Sequence, residues 1–205
     1  MKVLLINGSP HITGCTARAL KEIENVLVKE GIEVENIFIG NKDIRGCISC
    51  LSCYDTGKCV FDDIVNEVAL KFEQADGLIV GTPTYYAGAN GTLKSFMDRL
   101  FYSTSFSKRM KLGAAVVASR RAGSTSAFDE LNKYFTISEM PIVSSNYWNE
   151  IHGFKQSDAE KDLEGLATMR NLARNFAFLL KAINTKKDEM PKNEYGIRTS
   201  FPDGL

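Results

Sequence analysis

Short apolar runs alternate with longer amphipathic stretches along most of the chain. The apolar runs are bounded by turn residues and predict five strands, at 3–6, 34–39, 78–80, 114–118 and 142–143. In the stretches between and after them, apolar residues recur three and four positions apart and predict five helices, over 17–29, 63–74, 91–101, 124–135 and 159–183. This order predicts an α/β fold of three layers, in which helices cover both faces of a doubly wound, five-stranded parallel sheet.

The length of the chain fits a single domain of this kind. Its 205 residues, 44% of them hydrophobic, are enough to bury one substantial core. We predict a domain over residues 1–183, interrupted by a cysteine-rich insertion at 40–62. The polar stretch 184–205 lacks a clear period and is predicted to be a C-terminal tail.

Charge and cysteine usage narrow the possible partners and the compartment. Lys and Arg together number 25, as do Asp and Glu, so we expect no overall field that would attract nucleic acid or an anionic membrane. Only four apolar residues in a row precede Gly8, which is too few for a signal peptide or a membrane-spanning helix. With five cysteines and no export signal, a disulfide framework is not expected, and the protein is predicted to be cytoplasmic.

In a doubly wound sheet, the ligand lies outside the carboxyl ends of the strands, where the strand order reverses. The loop after the first strand, residues 8–16, is rich in glycine and hydroxyl groups and leads directly into a helix, a combination that favours a bound phosphate. Ordinary helix capping by Ser and Thr is the alternative interpretation. The loop lacks the Walker lysine and the spacing of a dinucleotide fingerprint, so a terminal monophosphate is the better fit.

The loops after the third and fourth strands have equally unusual compositions. Residues 81–91 place Tyr85 and Tyr86 in a Pro/Gly-rich segment, which suits the edge of a planar ring, although loop tyrosines also serve as surface packing. Residues 118–124 place Arg120 and Arg121 among small residues. These cations suit the pyrimidine edge of a flavin or the phosphates of a nicotinamide nucleotide, and a solvated arginine pair is the alternative.

Four segments together resemble the NAD(P)H-dependent FMN reductase group of the flavodoxin-like superfamily. They are Gly8-Ser9-Pro10 with Gly14 and Thr16, 81–86, 94–99 and 120–123. Within that group, the chain is most similar to the iron–sulfur flavoprotein branch. The resemblance implies a flavodoxin-like fold, FMN as bound cofactor and NAD(P)H as co-substrate. It also implies three groups of cofactor-binding residues. The phosphate is held by Ser9, His11, Gly14, Cys15 and Thr16. The flavin ring is lined by Pro83, Thr84, Tyr85, Tyr86 and Ala87, and its other side is closed by Ser119, Arg120 and Gly123.

Two positions of the first loop depart from the family pattern. His11 stands where the family often has a more basic residue, and Cys15 stands where it often has Asn. A neutral histidine gives a weaker, pH-dependent contact with phosphate, and a thiol is a poor replacement for an amide donor.

Four of the five cysteines lie close together, at Cys47, Cys50, Cys53 and Cys59, with two, two and five residues between them. Compact spacing of this kind allows thiolates from one loop to bind a 4Fe–4S cluster, and the iron–sulfur flavoproteins are similar here. A zinc ion held by the four thiolates, or a loop that holds no metal, are the other interpretations.

The function expected from these features is electron transfer from NAD(P)H through bound flavin to a flavin, a quinone or another acceptor, which is either a small molecule or a protein. The cofactor supplies the redox chemistry, so no catalytic acid–base pair is assigned. Two alternatives remain open: an iron–sulfur flavoprotein that carries electrons between redox proteins, and a structural metal-binding regulator.

The long connection at 40–62 also bears on assembly, because a connection of that length is usually functional. Tyr85, Tyr86, Tyr147 and Trp148 would lie near solvent in an isolated domain. We therefore predict a homodimer or a homotetramer with its active site near a subunit interface, where the cysteine loop of one subunit approaches the flavin of another.

Overall fold

The structure is a computed structural model, and it describes residues 1–194. Five parallel strands form the central sheet in the order β2-β1-β3-β5-β6, and β4 pairs antiparallel with the end of β3. The strand bounds are β1 Lys2–Asn7, β2 Glu33–Phe38, β3 Gly77–Tyr85, β4 Gly88–Ala89, β5 Leu112–Ser119 and β6 Glu150–His152.

Helices cover both faces of this sheet. Their bounds are α1 Cys15–Lys29, α2 Ser52–Thr56, α3 Ile64–Gln74, α4 Gly91–Ser103, α5 Ser124–Ile137, α6 Gln156–Ala159 and α7 Leu163–Thr185. Alternate residues of β1 point into opposite cores: Val3 and Leu5 pack with α1 and α7, whereas Leu4 and Ile6 pack with α3, α4 and α5. The predicted three-layer α/β/α class with a doubly wound parallel sheet is therefore confirmed.

The strand order places a topological switch point between β1 and β3. From β1 the chain moves to β2 on one side and then returns to β3 on the other. Asn7 at the end of β1 pairs with Gly81 in β3, so the loop after β1 and the last residues of β3 meet at one edge of the sheet. A ligand site is expected at this edge.

The predicted fifth strand at 142–143 is wrong. Ile142 forms only an isolated bridge with Gly113, and the fifth parallel strand of the sheet is β6, at Glu150–His152. The helix predicted over 159–183 is also divided, because Asp162 accepts a hydrogen bond from the backbone N–H of Gly165 and caps a new helix that begins at Leu163.

The predicted insertion contains one short helix, α2, in an otherwise irregular segment. At its start, Gly40 lies against the backbone of Ser9, and a Cβ atom at Gly40 would lie 1.8 Å from the Ser9 carbonyl oxygen. The insertion therefore begins in direct contact with the loop that follows β1.

The predicted tail begins close to the end of the last helix, since α7 ends at Thr185 and a 3₁₀ turn follows at Lys187–Glu189. Arg109 donates a hydrogen bond to the carbonyl of Pro191 at 2.6 Å, which attaches this part of the tail to the domain. The prediction for 195–205 lies outside the described residues. None of the helices described up to residue 194 is long and apolar enough to cross a membrane.

Candidate functional site

A cleft of about 860 Å³ opens where the loops after β1, β3, β5 and β6 meet. Ten of the thirteen predicted cofactor-binding residues line it: Ser9, His11, Gly14, Cys15, Thr16, Pro83, Thr84, Tyr85, Ser119 and Arg120. The other three predicted residues, Tyr86, Ala87 and Gly123, are not among its lining residues. The structure therefore brings most of the predicted set to one cavity.

The loop after β1 is held in place by its own hydrogen bonds. The Asn7 side chain accepts from the backbone N–H of Ser9 at 3.0 Å, and Ser9 Oγ accepts from the N–H of His11 at 3.2 Å. Helix α1 then begins after Gly14 with no side-chain cap and no acidic residue in its first turn. The first backbone N–H groups of α1 thus remain available to an anion in the cleft.

The loop after β3 forms a tight hairpin with β4. Tyr86 and Ala87 both have positive φ, 50° and 59°, which is the backbone pattern of a type I′ turn and is strained for residues other than glycine. The Tyr86 side chain is fully exposed at the tip of this hairpin. A Cβ at Gly123 would lie 3.0 Å from Ala87, so the hairpin packs closely on the loop after β5, beside the cleft.

Two buried hydroxyl groups of cleft residues have no hydrogen-bond partner within residues 1–194. These are Thr84 Oγ1 and Ser119 Oγ. Buried polar groups without a partner cost free energy, and such groups in a native protein need an explanation. A bound ligand with polar groups at its edge would supply the missing partners, so the residues present fit a flavin mononucleotide.

The segment 153–157 also lines the cleft and was missed by the sequence analysis. Gly153 donates from its backbone N–H to the Ser119 carbonyl at 3.0 Å, and Asp158 accepts from the N–H groups of Phe154 and Lys155. This segment follows β6, which sequence reasoning placed too early, so its position at the carboxyl end of a strand was not recognised. Lys155 adds a second exposed cation to the cleft beside Arg120.

Cys15 joins this segment to the start of α1. Its Sγ donates to the Lys155 carbonyl oxygen at 3.3 Å. Burial, with a smaller contribution from Asp158, raises the pKa of the Cys15 thiol. The residue is therefore a protonated thiol that contacts two parts of the cleft wall.

The other aromatic candidates lie elsewhere. The rings of Tyr147 and Trp148 lie 5.1 Å apart, are half-exposed and are not among the residues that line the cleft. They remain available for a subunit contact.

A second, smaller cavity lies near the end of α4. All four clustered cysteines line it, together with Ile48, Leu51, Val60, Phe61, Arg99, Tyr102 and Ser103. The backbone N–H of Ser49 donates to Cys47 Sγ at 3.4 Å, and Arg99 Nε donates to Cys59 Sγ at 3.2 Å. Burial raises the pKa of the Cys53 thiol.

The donor set of this cavity fits a 4Fe–4S cluster. In such a cluster each iron binds one cysteine thiolate, so the four sulfur atoms need not converge on a single ion. Among residues 1–194, no three His, Cys, Asp or Glu side chains are grouped so that they could hold one metal ion. Two N–H donors already contact cysteine sulfurs in this cavity. The Ser103 hydroxyl, buried at the cavity wall, has no hydrogen-bond partner among the described residues.

Comparisons with known proteins show the family to which the chain belongs. The family described as NADPH-dependent FMN reductase matches residues 1–155. An iron–sulfur flavoprotein of Methanocaldococcus jannaschii is 37% identical over 191 residues, which cover 89% of this chain and 99% of the relative.

Two solved structures show a similar fold. RosB, solved with a bound riboflavin-5'-phosphate derivative, superimposes with a TM-score of 0.74 at 13% identity and covers 98% of this chain and 92% of its own. A flavodoxin from the domain Archaea gives a TM-score of 0.58 at 17% identity and covers 88% of this chain and 99% of its own. The chain has a flavodoxin-like fold and belongs to the NADPH-dependent FMN reductase family, in the branch of the iron–sulfur flavoproteins.

Proposed function

We propose that the protein is an FMN-dependent oxidoreductase that passes electrons from NAD(P)H to a flavin, a quinone or another acceptor. The observation that carries this proposal is the cleft at the switch point, which combines an uncapped helix N-terminus with two buried hydroxyls that have no partner in the described part of the chain. Bound FMN would accept a hydride from the nicotinamide and release electrons to the acceptor.

The residues of the chain bind and orient the reactants. The first turn of α1, with Ser9 and Thr16, holds the FMN phosphate, because the helix N-terminus favours negative charge. Thr84 and Ser119 would form hydrogen bonds with the polar edge of the ring, and Tyr85 would contact it. Because the cleft is open on one side, a nicotinamide can approach the ring.

The two exposed cations of the cleft, Arg120 and Lys155, are suited to a phosphate-bearing co-substrate. Guanidinium and ammonium groups bind phosphate by charge-assisted hydrogen bonds. We propose that they attract the nicotinamide nucleotide, whose approach would then weaken as the salt concentration rises.

The phosphate assignment is tested with Thr16→Ala and Ser9→Ala. Each variant loses one hydrogen bond to a charged group, worth about 1.5–3 kcal/mol, so FMN affinity is expected to fall about ten- to a hundredfold. Riboflavin, which lacks the phosphate, is expected to lose less affinity than FMN in each variant; Ser9→Ala also removes the contact with the His11 N–H that holds the loop. Titration of the flavin-free protein with both ligands measures this difference.

Thr125→Ala is the matched control. Thr125 is the second residue of α5, as Thr16 is of α1, and both helices have a glycine at the N-cap. Thr125 lies outside the cleft. Equal loss of FMN and riboflavin affinity in the Thr16 and Ser9 variants, or no loss of either, would place the phosphate elsewhere.

A second candidate function is electron transfer between redox proteins, favoured by the cavity that the four cysteines share. We propose that Cys47, Cys50, Cys53 and Cys59 hold a 4Fe–4S cluster in the reducing environment of the cytoplasm. Iron and sulfide analysis of protein purified without oxygen tests the cluster. Steady oxidation of NADH or NADPH with added FMN or a quinone supports the reductase, whereas reduction by ferredoxin alone supports the carrier.

The position of the cysteine cavity supports an oligomer. Helix α4 begins just after the hairpin beside the cleft, and Tyr102 and Ser103 in its last turn line the cysteine cavity. With 13 residues at about 1.5 Å each, the helix is roughly 20 Å long. The helix therefore separates the flavin cleft from the cysteine cavity within one subunit. We propose that a homodimer or homotetramer shortens the distance for electron transfer by bringing the cysteine loop of one subunit to the flavin of another.

The surface around the cysteines suits such a contact, because Ile48, Leu51, Tyr54 and Val60 are all about half or more exposed. Sedimentation of the pure protein at micromolar concentration is expected to show no major monomer. Val60→Lys is expected to shift the protein towards monomer, whereas Leu70→Lys, at an exposed leucine on α3, should leave the assembly unchanged. A stable monomer with full flavin content and full reductase activity would contradict the proposal.

A further inference from the structure

Arg99 is a buried cation whose hydrogen-bond partners all lie between Arg45 and Asp63, the stretch of chain that carries the four clustered cysteines. Its Nε donates to Cys59 Sγ at 3.2 Å. Its two terminal nitrogens donate to the carboxylate of Asp63 at 2.6 and 2.9 Å and to the carbonyls of Arg45 and Phe61, both at 3.3 Å. All five donors of the guanidinium are therefore used, and they connect the two ends of the segment that carries the four cysteines.

The contact with Cys59 is different from the contacts of the other three cysteines. Cys47 accepts from a backbone N–H, and Cys53 donates to the Tyr102 carbonyl. Cys59 alone among the four cysteines has a charged side-chain donor in the described structure. A guanidinium keeps its charge in proteins, and the paired contact of Arg99 with the Asp63 carboxylate holds that charge against Cys59.

Hydrogen bonds to cysteine sulfur and the net charge nearby are two of the factors that set the reduction potential of an iron–sulfur cluster. One-electron reduction adds one negative charge and neither forms nor breaks a bond. A fixed cation against one ligand stabilises that added charge, and a carboxylate bound to the same cation opposes the effect.

We propose that Arg99 is a positioning residue that raises the reduction potential of a cluster bound at Cys59, and that Asp63 limits this rise. The inference rests on the proposed cluster and goes beyond it, because it assigns opposite effects to two residues that bind no iron. It also predicts that the cluster is electrostatically asymmetric, with the Cys59 ligand nearest to positive charge.

The test compares Arg99→Gln, Arg99→Lys and Asp63→Asn in the full-length protein after anaerobic purification. The midpoint potential of the cluster is measured by titration with dithionite and mediators, followed by the electron paramagnetic resonance signal of the reduced cluster. We expect a more negative potential in Arg99→Gln, a smaller change in Arg99→Lys and a more positive potential in Asp63→Asn. Asparagine retains the helix-capping role of Asp63, which accepts from the backbone N–H of Val65 at 3.0 Å.

A purely structural role for the pair would lower iron content in both variants and leave the potential of the remaining clusters unchanged. Iron, sulfide and FMN contents are therefore measured for each protein. Unchanged potentials, or shifts in the same direction for Arg99→Gln and Asp63→Asn, would overturn the inference. If Arg99→Gln does not retain a cluster, the rise in potential expected in Asp63→Asn decides the outcome. No rise in that variant would also overturn the inference. If the unsubstituted protein contains neither iron nor sulfide, the cluster proposal is overturned, and this inference is overturned with it.

Discussion

Replacing Gly40 with alanine is expected to weaken FMN binding by about a hundredfold and to destabilise the fold. A Cβ at this position would lie 1.8 Å from the Ser9 carbonyl oxygen and 2.1 Å from the Ser9 carbonyl carbon. Both are backbone atoms, so the loop after β1 must move. Overpacking of this kind costs about 1–3 kcal/mol, and a hundredfold loss of affinity corresponds to about 2.8 kcal/mol. Thermal unfolding and titration with FMN measure the two effects.

The matched control is Gly91→Ala. Gly91 begins α4, and a Cβ there would have no atom within 4 Å. Because alanine is a better helix former than glycine, this variant is expected to be at least as stable as the unchanged protein. Normal FMN affinity in Gly40→Ala would show that the loop after β1 does not hold the flavin.

Replacing Lys108 with methionine is expected to stabilise the protein at pH 7 by about 1–2 kcal/mol. Lys108 is 9% exposed, and its ammonium lies 4.8 Å from the Phe106 ring centroid and donates to the Thr104 carbonyl at 3.0 Å. Burial, with repulsion from Lys111, lowers its pKa to about 8. The full difference in pKa from an ordinary lysine corresponds to about 3.4 kcal/mol. We expect a smaller gain in stability because nearby solvent screens part of the cost of burying the charge.

The pH dependence of this effect has a definite sign. Below pH 8, Lys108 is charged in both the folded and the unfolded protein, so the folded state bears the whole cost of burying the charge. Between about pH 8 and pH 10.5, the unfolded chain binds more protons at this site, so stability rises with pH. The advantage of Lys108→Met should therefore shrink over this range in urea unfolding experiments.

Lys42→Met, at an exposed lysine, is the control for Lys108→Met and should change stability little at any pH. A constant advantage of Lys108→Met from pH 7 to pH 10 would mean that packing, and not charge burial, is responsible.

Sequence reasoning identified the sheet wherever strands are apolar and buried. In β1 and β5, nearly every residue is buried between the two helical layers, so continuous apolar runs mark them clearly. Strand β6 has only three residues, and Ile151 is its single apolar side chain. The more apolar pair Ile142 and Val143 was therefore chosen instead, although it forms only one bridge with the sheet.

This error explains why part of the candidate site was missed. The sequence predicts a loop to line the cleft only when that loop follows a correctly predicted strand. The loops after β1, β3 and β5 were therefore found, and the segment 153–157 was not. The role of Arg99 was hidden for a different reason. Its partners Cys59 and Asp63 are 40 and 36 residues away in sequence, and only the fold brings them together.

The contact between Cys15 and Lys155 has a consequence for thiol chemistry. Alkylating and oxidising reagents attack the thiolate at an accessible sulfur, and Cys15 is both buried and protonated. Cys47 and Cys50 are exposed, and Cys53 and Cys59 are partly so. A cluster-free preparation would therefore take up label on the insertion first. The same difference in exposure predicts that an oxidant reacts with the cysteines of the insertion before it reacts with Cys15 in the cleft wall.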